Sequence, residues 1–457
     1  MNEMVNTYFN SLKGKRIAVL GIGVSNRPLI RMLLRFGISV TACDRTERDQ
    51  LDSEVLELEA EGAVLRVGAG YLDGLTADVV FRTPGMHPNI PALRTLREQG
   101  ATITSEMEAF FAVCPCPILA VTGSDGKTTT TTLIAEILKH AGKIVWVGGN
   151  IGQPLLPLAD QMQADDLAVV ELSSFQLMNM KQSPHVAVIT NLAPNHLDVH
   201  KDMAEYVEAK ENLYLHQSAG DLVVLNADNA ITASFGPKVK GDCVWFSRQE
   251  KPKRGAWFDG DTIWYNDKAV MNRSDILLPG LHNVENYMAA LCAVQEYAEA
   301  TDVLAVARSF GGVEHRIELV RTLDGVRWYN DSIASSPSRT IAGLHSFEQK
   351  VILIAGGYDK KIPFDVLGPE IVAHVKELIL CGATAEKIRQ AVISSDDYAE
   401  GKPEITVVHS LAQAVQVASA RAKPGDIVTL SPACAAFDQF KNFMVRGQFF
   451  KKLVMEL

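Results

Sequence analysis

The sequence has no run approaching the roughly 18 apolar residues that a membrane-spanning helix needs, and no basic start leading into an apolar signal segment. Both absences lead us to expect a cytoplasmic protein without membrane insertion. Cysteine is sparse and unpatterned: Cys43, Cys114, Cys116, Cys243, Cys292, Cys381 and Cys434 are odd in number, scattered and without CxxC spacing. Their spacing suggests neither a disulfide framework nor a zinc site, and the seven read as mostly buried apolar fillers. Positive charge is also in deficit, 44 Lys and Arg against 54 Asp and Glu, for a formal charge of −10. A nucleic-acid-binding surface is therefore not expected, although basic pockets for phosphates fit within an acidic whole. No internal repeat or low-complexity linker interrupts the chain. What is present is 457 residues, 47% hydrophobic and 21% charged, enough for two or three domains of about 100–200 residues each.

Three stretches of alternating strand and helix signals follow one another, which makes the chain α/β. The first runs from Arg16–Gly23 through a helical Pro28–Phe36 to Ile38–Asp44, a βαβ unit of Rossmann type. Its glycine turn has Asn26 where the dinucleotide fingerprint has a third glycine, so the turn reads equally as a nucleotide site or a plain tight turn, and Asp44 is equally ambiguous. The second stretch predicts strands over Ile118–Thr122, Lys143–Val147, Leu167–Leu172, Val186–Asn191 and Asp221–Asn226. A β-rich patch, Gly255–Tyr265, and a helix over Val284–Tyr297 complete it. The third predicts strands over Arg327–Asn330, Val351–Ala355, Leu378–Cys381, Ile405–Val408 and Ile427–Leu430. The pattern resets near residues 111 and 313, predicting domains over 1–111, 112–313 and 314–457.

Ligands of open α/β sheets sit at the carboxyl ends of strands, so polar residues there bear most on function. Ile118–Thr122 is followed by Gly123, Ser124, Asp125, Gly126, Lys127, Thr128 and Thr129. Backbone amides at a helix start, a lysine charge and a hydroxyl suit a triphosphate with its magnesium. The loop is short of the usual Gly-x-x-x-x-Gly-Lys-Thr/Ser form, because Val121 stands where the first glycine belongs. Glu171 ends an apolar strand, where a carboxylate is costly unless it meets a cation or metal; a structural ion pair would serve as well. His196 follows another strand end and Lys210 lies on the next helix; taken singly, a loop histidine and a helical lysine are ordinary solvated groups. Thr128, Glu171 and phosphate oxygens suit magnesium, beside which His196 would be an unusual nitrogen donor.

Several further motifs complete the pattern: Gly149-Asn-Ile-Gly152, Glu171-Leu-Ser-Ser-Phe-Gln-Leu177, Asn195-His-Leu-Asp198, Leu281-His-Asn-Val-Glu-Asn286, His315-Arg316, Tyr329-Asn-Asp-Ser332, Ser431-Pro-Ala-Cys-Ala435 and Asp438–Phe443. In this order and spacing, over essentially the whole chain, they resemble the Mur ligases, ATP-dependent amide-forming enzymes of peptidoglycan precursor synthesis. The Glu-Leu-Ser-Ser-Phe-Gln and Ser-Pro-Ala-Cys-Ala stretches are similar to the branch that adds D-glutamate to UDP-N-acetylmuramoyl-L-alanine. The family's Gly-x-x-Gly-Lys-Thr/Ser loop accounts for the shortened one here.

The resemblance implies a Rossmann-like N-terminal domain for the UDP precursor, a central P-loop ATPase-like domain with a mostly parallel sheet, and a Rossmann-like C-terminal domain for D-glutamate. It implies an acyl phosphate formed from ATP, attacked by the amine of D-glutamate, with release of ADP and phosphate. Gly123 to Thr129 would cradle ATP, Asn283 and Asn286 would contact adenine, and Arg316 with Asp331 would engage ribose and phosphates. For the two asparagines helix capping is the plain alternative. Lys127, Glu171, His196 and Lys210 would be the catalytic group; Thr128 and Glu171 would hold one magnesium, and His196 and a carbamate on Lys210 a second, bridged by Glu171. The precursor would meet Gly23, Val24, Ser25, Asp44, Arg45, Thr46, Gly85, Asn150, Ser173, Gln176 and His196. D-glutamate would meet Lys360, Ser335, Ala436 and Phe443. The chain departs from the family at Ile333, where a lysine is common, at Ser335, where a threonine is common, and at Ala436, where a serine is usual. A monomer is expected. Two other readings compete: a folylpolyglutamate-type ligase, which would need a pterin pocket, and a non-catalytic nucleotide-responsive binding protein, which would have no need of Glu171, His196 and Lys210.

Overall fold

Runs of four or five apolar residues that are buried on both faces build the centres of three sheets, as parallel strands covered by helices require. The computed structural model describes residues 2–194 and 199–457. The first sheet comprises β1 (Ile17–Leu20), β2 (Val40–Asp44), β3 (Val64–Val67), β4 (Val79–Arg82) and β5 (Thr102–Thr104), all parallel in the order 3-2-1-4-5. Order reverses on either side of β1, so the turn Gly21–Ser25 opens at the crevice between β1 and β4.

The second sheet has nine strands: β6 (Ile118–Thr122), β7 (Val145–Gly149), β8 (Leu167–Glu171), β9 (Val186–Ile189), β10 (Leu222–Asn226), β11 (Asp242–Ser247), β12 (Gly255–Phe258), β13 (Thr262–Tyr265) and β14 (Lys268–Asn272). Their order is 14-13-12-11-10-9-6-8-7, parallel from β7 to β12, with β13 and β14 added as an antiparallel meander. β6 lies between β8 and β9, and the carboxyl ends of these three strands therefore frame one crevice.

The third sheet comprises β15 (Glu318–Leu323), β16 (Val326–Asn330), β17 (Val351–Ala355), β18 (Val375–Leu380), β19 (Glu404–Val407) and β20 (Ile427–Leu430), in the order 15-16-20-17-18-19 with only β15 antiparallel. The chain divides into two compact units: Met1–Arg273 with Glu285–Val306, which holds the first two sheets, and Ser274–Val284 with Ala307–Leu457, which holds the third. Five of the seven cysteines are buried and Cys114 and Cys243 partly so, as expected of apolar fillers. Among the described residues, no helix is long and apolar enough to cross a membrane.

Candidate active site

The turn after β6 enters the helix Lys127–His140 through Gly126, whose φ is +77°. Gly123 has φ +153°, and a Cβ there would collide with the Thr190 hydroxyl; one on Gly126 would collide with Asn286 Oδ1. The amides of Ser124 and Asp125 donate to Asn191, to its carbonyl and to its side chain, at 2.9 Å each. The amides of Gly126 to Thr129 then form the first turn of the helix, where N–H groups have no acceptor within the helix and anions are favoured. Lys127 folds back so that Nζ donates to the carbonyls of Gly123 and Ser124 at 2.9 Å each.

Glu171 ends β8 fully inside the protein, and both of its oxygens are in use. Oε2 accepts from the Thr128 hydroxyl at 2.7 Å, and Oε1 accepts from the Asn150 amide at 2.7 Å. Lys210, 1% exposed, comes from the helix Met203–Leu215; its Nζ donates to the Thr122 hydroxyl and to the Gly123 carbonyl at 3.0 Å each. Burial, with the Lys127 charge beside it, drives the Lys210 pKa well below the ordinary lysine value, against the pull of Glu171. Two lysine nitrogens thus share one carbonyl oxygen, a placement that favours keeping one of them uncharged. His196 lies outside the described residues. Asn286 is buried, and its Oδ1 accepts from Thr130 of the phosphate-loop helix at 3.2 Å. In the other unit, Asn283 donates to the Pro279 carbonyl at 2.7 Å.

A cavity of about 270 Å³ gathers Gly23, Val24, Ser25, Asn150 and Gln176, five of the residues expected to meet the precursor. Asn26 explains why the third glycine is dispensable: its buried amide donates to the carbonyls of Leu20 and Gly21 and holds the turn from beneath. Asp44 accepts from the Ile22 and Thr46 amides at 2.8 and 3.0 Å. Its partial burial would raise the carboxyl pKa, but those amides outweigh it and hold the value below the usual range. Arg82 is buried and ties the carbonyls of Thr83, Pro84 and Met86, around Gly85, to that of Phe175. Ser173 and Gln176 form a capping box on the helix Ser174–Leu177, which fixes both beside the end of β8.

In the second unit Asp331 is buried among Ser431, whose hydroxyl donates at 2.7 Å, and the Ile317 amide, and burial pushes its carboxyl up to about 7. Arg316 is exposed between His315 and Ile317, both at positive φ. Lys360 Nζ donates to the Ser335 carbonyl at 3.3 Å, which brings two of the expected D-glutamate residues together. Ala436 is buried, and the Phe443 carbonyl accepts from Ser332 at 2.8 Å.

Residues 121–294 match the model of the Mur ligase middle domain, and residues 315–434 that of the Mur ligase glutamate ligase domain. The UDP-N-acetylmuramoylalanine--D-glutamate ligase of Acetivibrio thermocellus is 51% identical over 462 residues, covering 99% of each chain. The chain belongs to the Mur ligase family. The relative of the same name from Clostridium tetani is 47% identical over 459 residues, covering 100% of each. The fold of this Mur ligase is also that of a UDP-N-acetylmuramate-alanine ligase from Thermotoga maritima, with a TM-score of 0.58 at 19% identity over 97% of this chain and 99% of that one. A UDP-N-acetylmuramoyl-L-alanyl-D-glutamate--2,6-diaminopimelate ligase gives 0.58 at 18% identity, over 97% and 94%.

Three residues of this Mur ligase escaped sequence reasoning. Glu106 lines the cavity from the helix Glu106–Val113; its carboxylate accepts from the Leu156 amide at 3.2 Å, and burial raises its pKa to about 7. Asn191 shapes the phosphate loop from the end of β9. Arg446, on the last helix Phe443–Met455, is 4% exposed and donates to Ser332 Oγ and to the carbonyls of Ser332, Cys434 and Ala435. It locks the Asn-Asp-Ser stretch to the Ser-Pro-Ala-Cys-Ala stretch. Only the first had a legible signal, a Ser105 helix cap followed by two carboxylates.

Proposed function

We propose that this Mur ligase joins D-glutamate to UDP-N-acetylmuramoyl-L-alanine at the expense of ATP, as a cytoplasmic monomer. The names of its full-length relatives support the substrates. The observation that carries the reading is the junction at Glu171, which holds Thr128 of the phosphate loop with one oxygen and Asn150, at the rim of the cavity, with the other. A phosphoryl donor on the loop and a carboxyl acceptor in the cavity would meet there.

A carboxylate is a poor acyl donor, and converting it to an acyl phosphate supplies a competent leaving group. The precursor's L-alanyl carboxylate attacks the γ-phosphorus of ATP and ADP leaves. The amine of D-glutamate then attacks the activated carbonyl, and the tetrahedral intermediate expels inorganic phosphate to leave the amide. Phosphoryl transfer depends chiefly on positioning and charge compensation. Lys127 supplies a cation beside the helix start, and the Gly126–Thr129 amides supply donors. The Thr128 hydroxyl and Glu171 carboxylate are adjacent oxygen donors of the kind magnesium prefers, and the ion would neutralise phosphate charge there. A buried, uncharged Lys210 amine is the form that takes up carbon dioxide, and as a carbamate it would offer an anionic oxygen to a second ion together with His196. Residues 1–111 would receive the UDP precursor, 112–313 ATP, and 314–457 D-glutamate through Lys360, Ser335, Ala436 and Phe443.

The test is phosphate release from ATP with precursor and either D- or L-glutamate, using precursor labelled with heavy oxygen in its terminal carboxyl. Turnover only with the D isomer, and label in the released phosphate, are expected. Turnover without precursor, or phosphate free of label, would refute the reading.

A further inference from the structure

Two helices of the second unit end at one place on its surface. The helix Pro337–Leu344 is capped by His345; the helix Leu367–His374 finishes on His374, with Glu370 one turn earlier on the same face. His345 Nε2 lies 2.7 Å from Glu370 Oε2, and His374 Nε2 lies 3.5 Å from that same oxygen. The donor atoms of the three side chains fall within 4.8 Å of one another, and among the described residues no other trio of His, Cys, Asp or Glu does so. The imidazole rings are 4.8 Å apart and inclined by 57°, so they converge on the carboxylate rather than stack. Exposed ion pairs contribute only about 0–1 kcal/mol, and fold stability gives little reason for three such side chains to meet.

We propose that His345, Glu370 and His374 form a surface site for a borderline divalent transition-metal ion such as Zn²⁺ or Co²⁺, with water completing a tetrahedral shell. Two imidazole nitrogens and one carboxylate oxygen are the donors such ions take. Magnesium, which prefers oxygen and keeps its water, is disfavoured, so the site is chemically distinct from any at the phosphate loop. Zinc–ligand bonds of about 2.0–2.2 Å place tetrahedral ligands roughly 3.3 Å apart, within the range these atoms already span. With side chains 51% exposed at His345, 32% at Glu370 and 34% at His374, rotation of side chains alone adjusts the fit, and water reaches the fourth position. Both helices present their carbonyl ends here, where the backbone dipoles favour a cation. Lys350 already donates to the Val372 carbonyl in the last turn of one of them. Binding forms three metal–ligand bonds and releases any proton the coordinating nitrogens carry. The bound ion would cross-link the two helices, the first of which starts beside Ser335.

The test is calorimetric titration of Zn²⁺ into the full chain, stripped by chelator and free of any polyhistidine tag, without nucleotide, beside a His345→Gln/His374→Gln variant. One equivalent is expected to bind the unaltered chain, and the variant is expected to bind it at least about tenfold more weakly. Co²⁺ should give the visible absorption of tetrahedral coordination in the first protein and not in the second. Zn²⁺ should also raise the unfolding temperature of the unaltered chain alone. If the double variant proves unstable without metal, His374→Gln alone, at a partly exposed position, is read in the same way. Equal Zn²⁺ affinity in the unaltered chain and the variant, or loss of binding in Glu171→Gln instead, overturns the proposal.

Discussion

Replacing Lys127 with methionine should change the chemistry of Lys210 without touching it. Their Nζ atoms stand 2.9 and 3.0 Å from the same Gly123 carbonyl oxygen. They are therefore no more than about 6 Å apart, and two unit charges at that separation repel by about 3 kcal/mol at an effective dielectric constant of about 20. Burial is the larger cause of the depressed Lys210 pKa and the Lys127 charge the next, so the substitution leaves the amine partly depressed. With tenfold in an equilibrium for each 1.4 kcal/mol, the ratio of protonated to free amine rises by about 100-fold. Only the free base reacts with carbon dioxide, and the carbamate anion loses the same neighbouring cation, so both steps move against carbamylation. The assay is carbon-13 NMR of each protein equilibrated with labelled bicarbonate in mildly alkaline buffer, with Lys210→Met identifying the signal. A carbamate resonance in the unaltered chain and at least about a tenfold loss in Lys127→Met are expected. Equal resonances in the two proteins would refute the claim that the lysines sense one another.

Glu171→Gln keeps the shape at the end of β8 but removes the charge between Thr128 and Asn150; phosphate release should fall by at least about 100-fold, as for loss of a preorganised electrostatic group. Lys210→Ala should lose turnover and recover part of it with small carboxylic acids, if an anionic oxygen is what its position supplies. Glu106 holds a proton in the folded state up to about pH 7 that the unfolded chain releases near 4.5, so its burial weakens the fold progressively as pH rises through that window. Glu106→Gln should therefore stabilise the first unit at pH 8 by up to about 3 kcal/mol and by little at pH 4, read by urea unfolding at both. Arg446→Met strands the carbonyls of Ser332, Cys434 and Ala435 and should destabilise the second unit by about 3 kcal/mol, seen as a lower unfolding temperature.

The central strands were legible because both their faces are buried: β6, β17 and β20 run over Ile118–Thr122, Val351–Ala355 and Ile427–Leu430, as their apolar runs predict. The edge strands β7 and β19 were legible too, within two residues of their predicted bounds, but β3, β5 and β15 were not: none of their residues is fully buried, and polar residues interrupt them. The helix predicted over Val284–Tyr297 spans Leu281–Val294, because Gly280, at φ +84°, starts it a turn earlier than its apolar face suggests. At the site, Glu171 could be singled out because a carboxylate closing an apolar strand needs a partner. Arg446 could not, since its burial is decided by Ser332, 114 residues away. Lys210 looks like any helical lysine until the Thr122 and Gly123 oxygens are seen to receive it.

The two glycines of the phosphate loop are walled in by Thr190 and Asn286, so the loop is a mould cast by its surroundings. A nucleotide arriving there finds a finished surface, and little chain entropy is lost on docking. Any side chain at either glycine would distort the mould itself, damaging the empty protein before a triphosphate ever reached it.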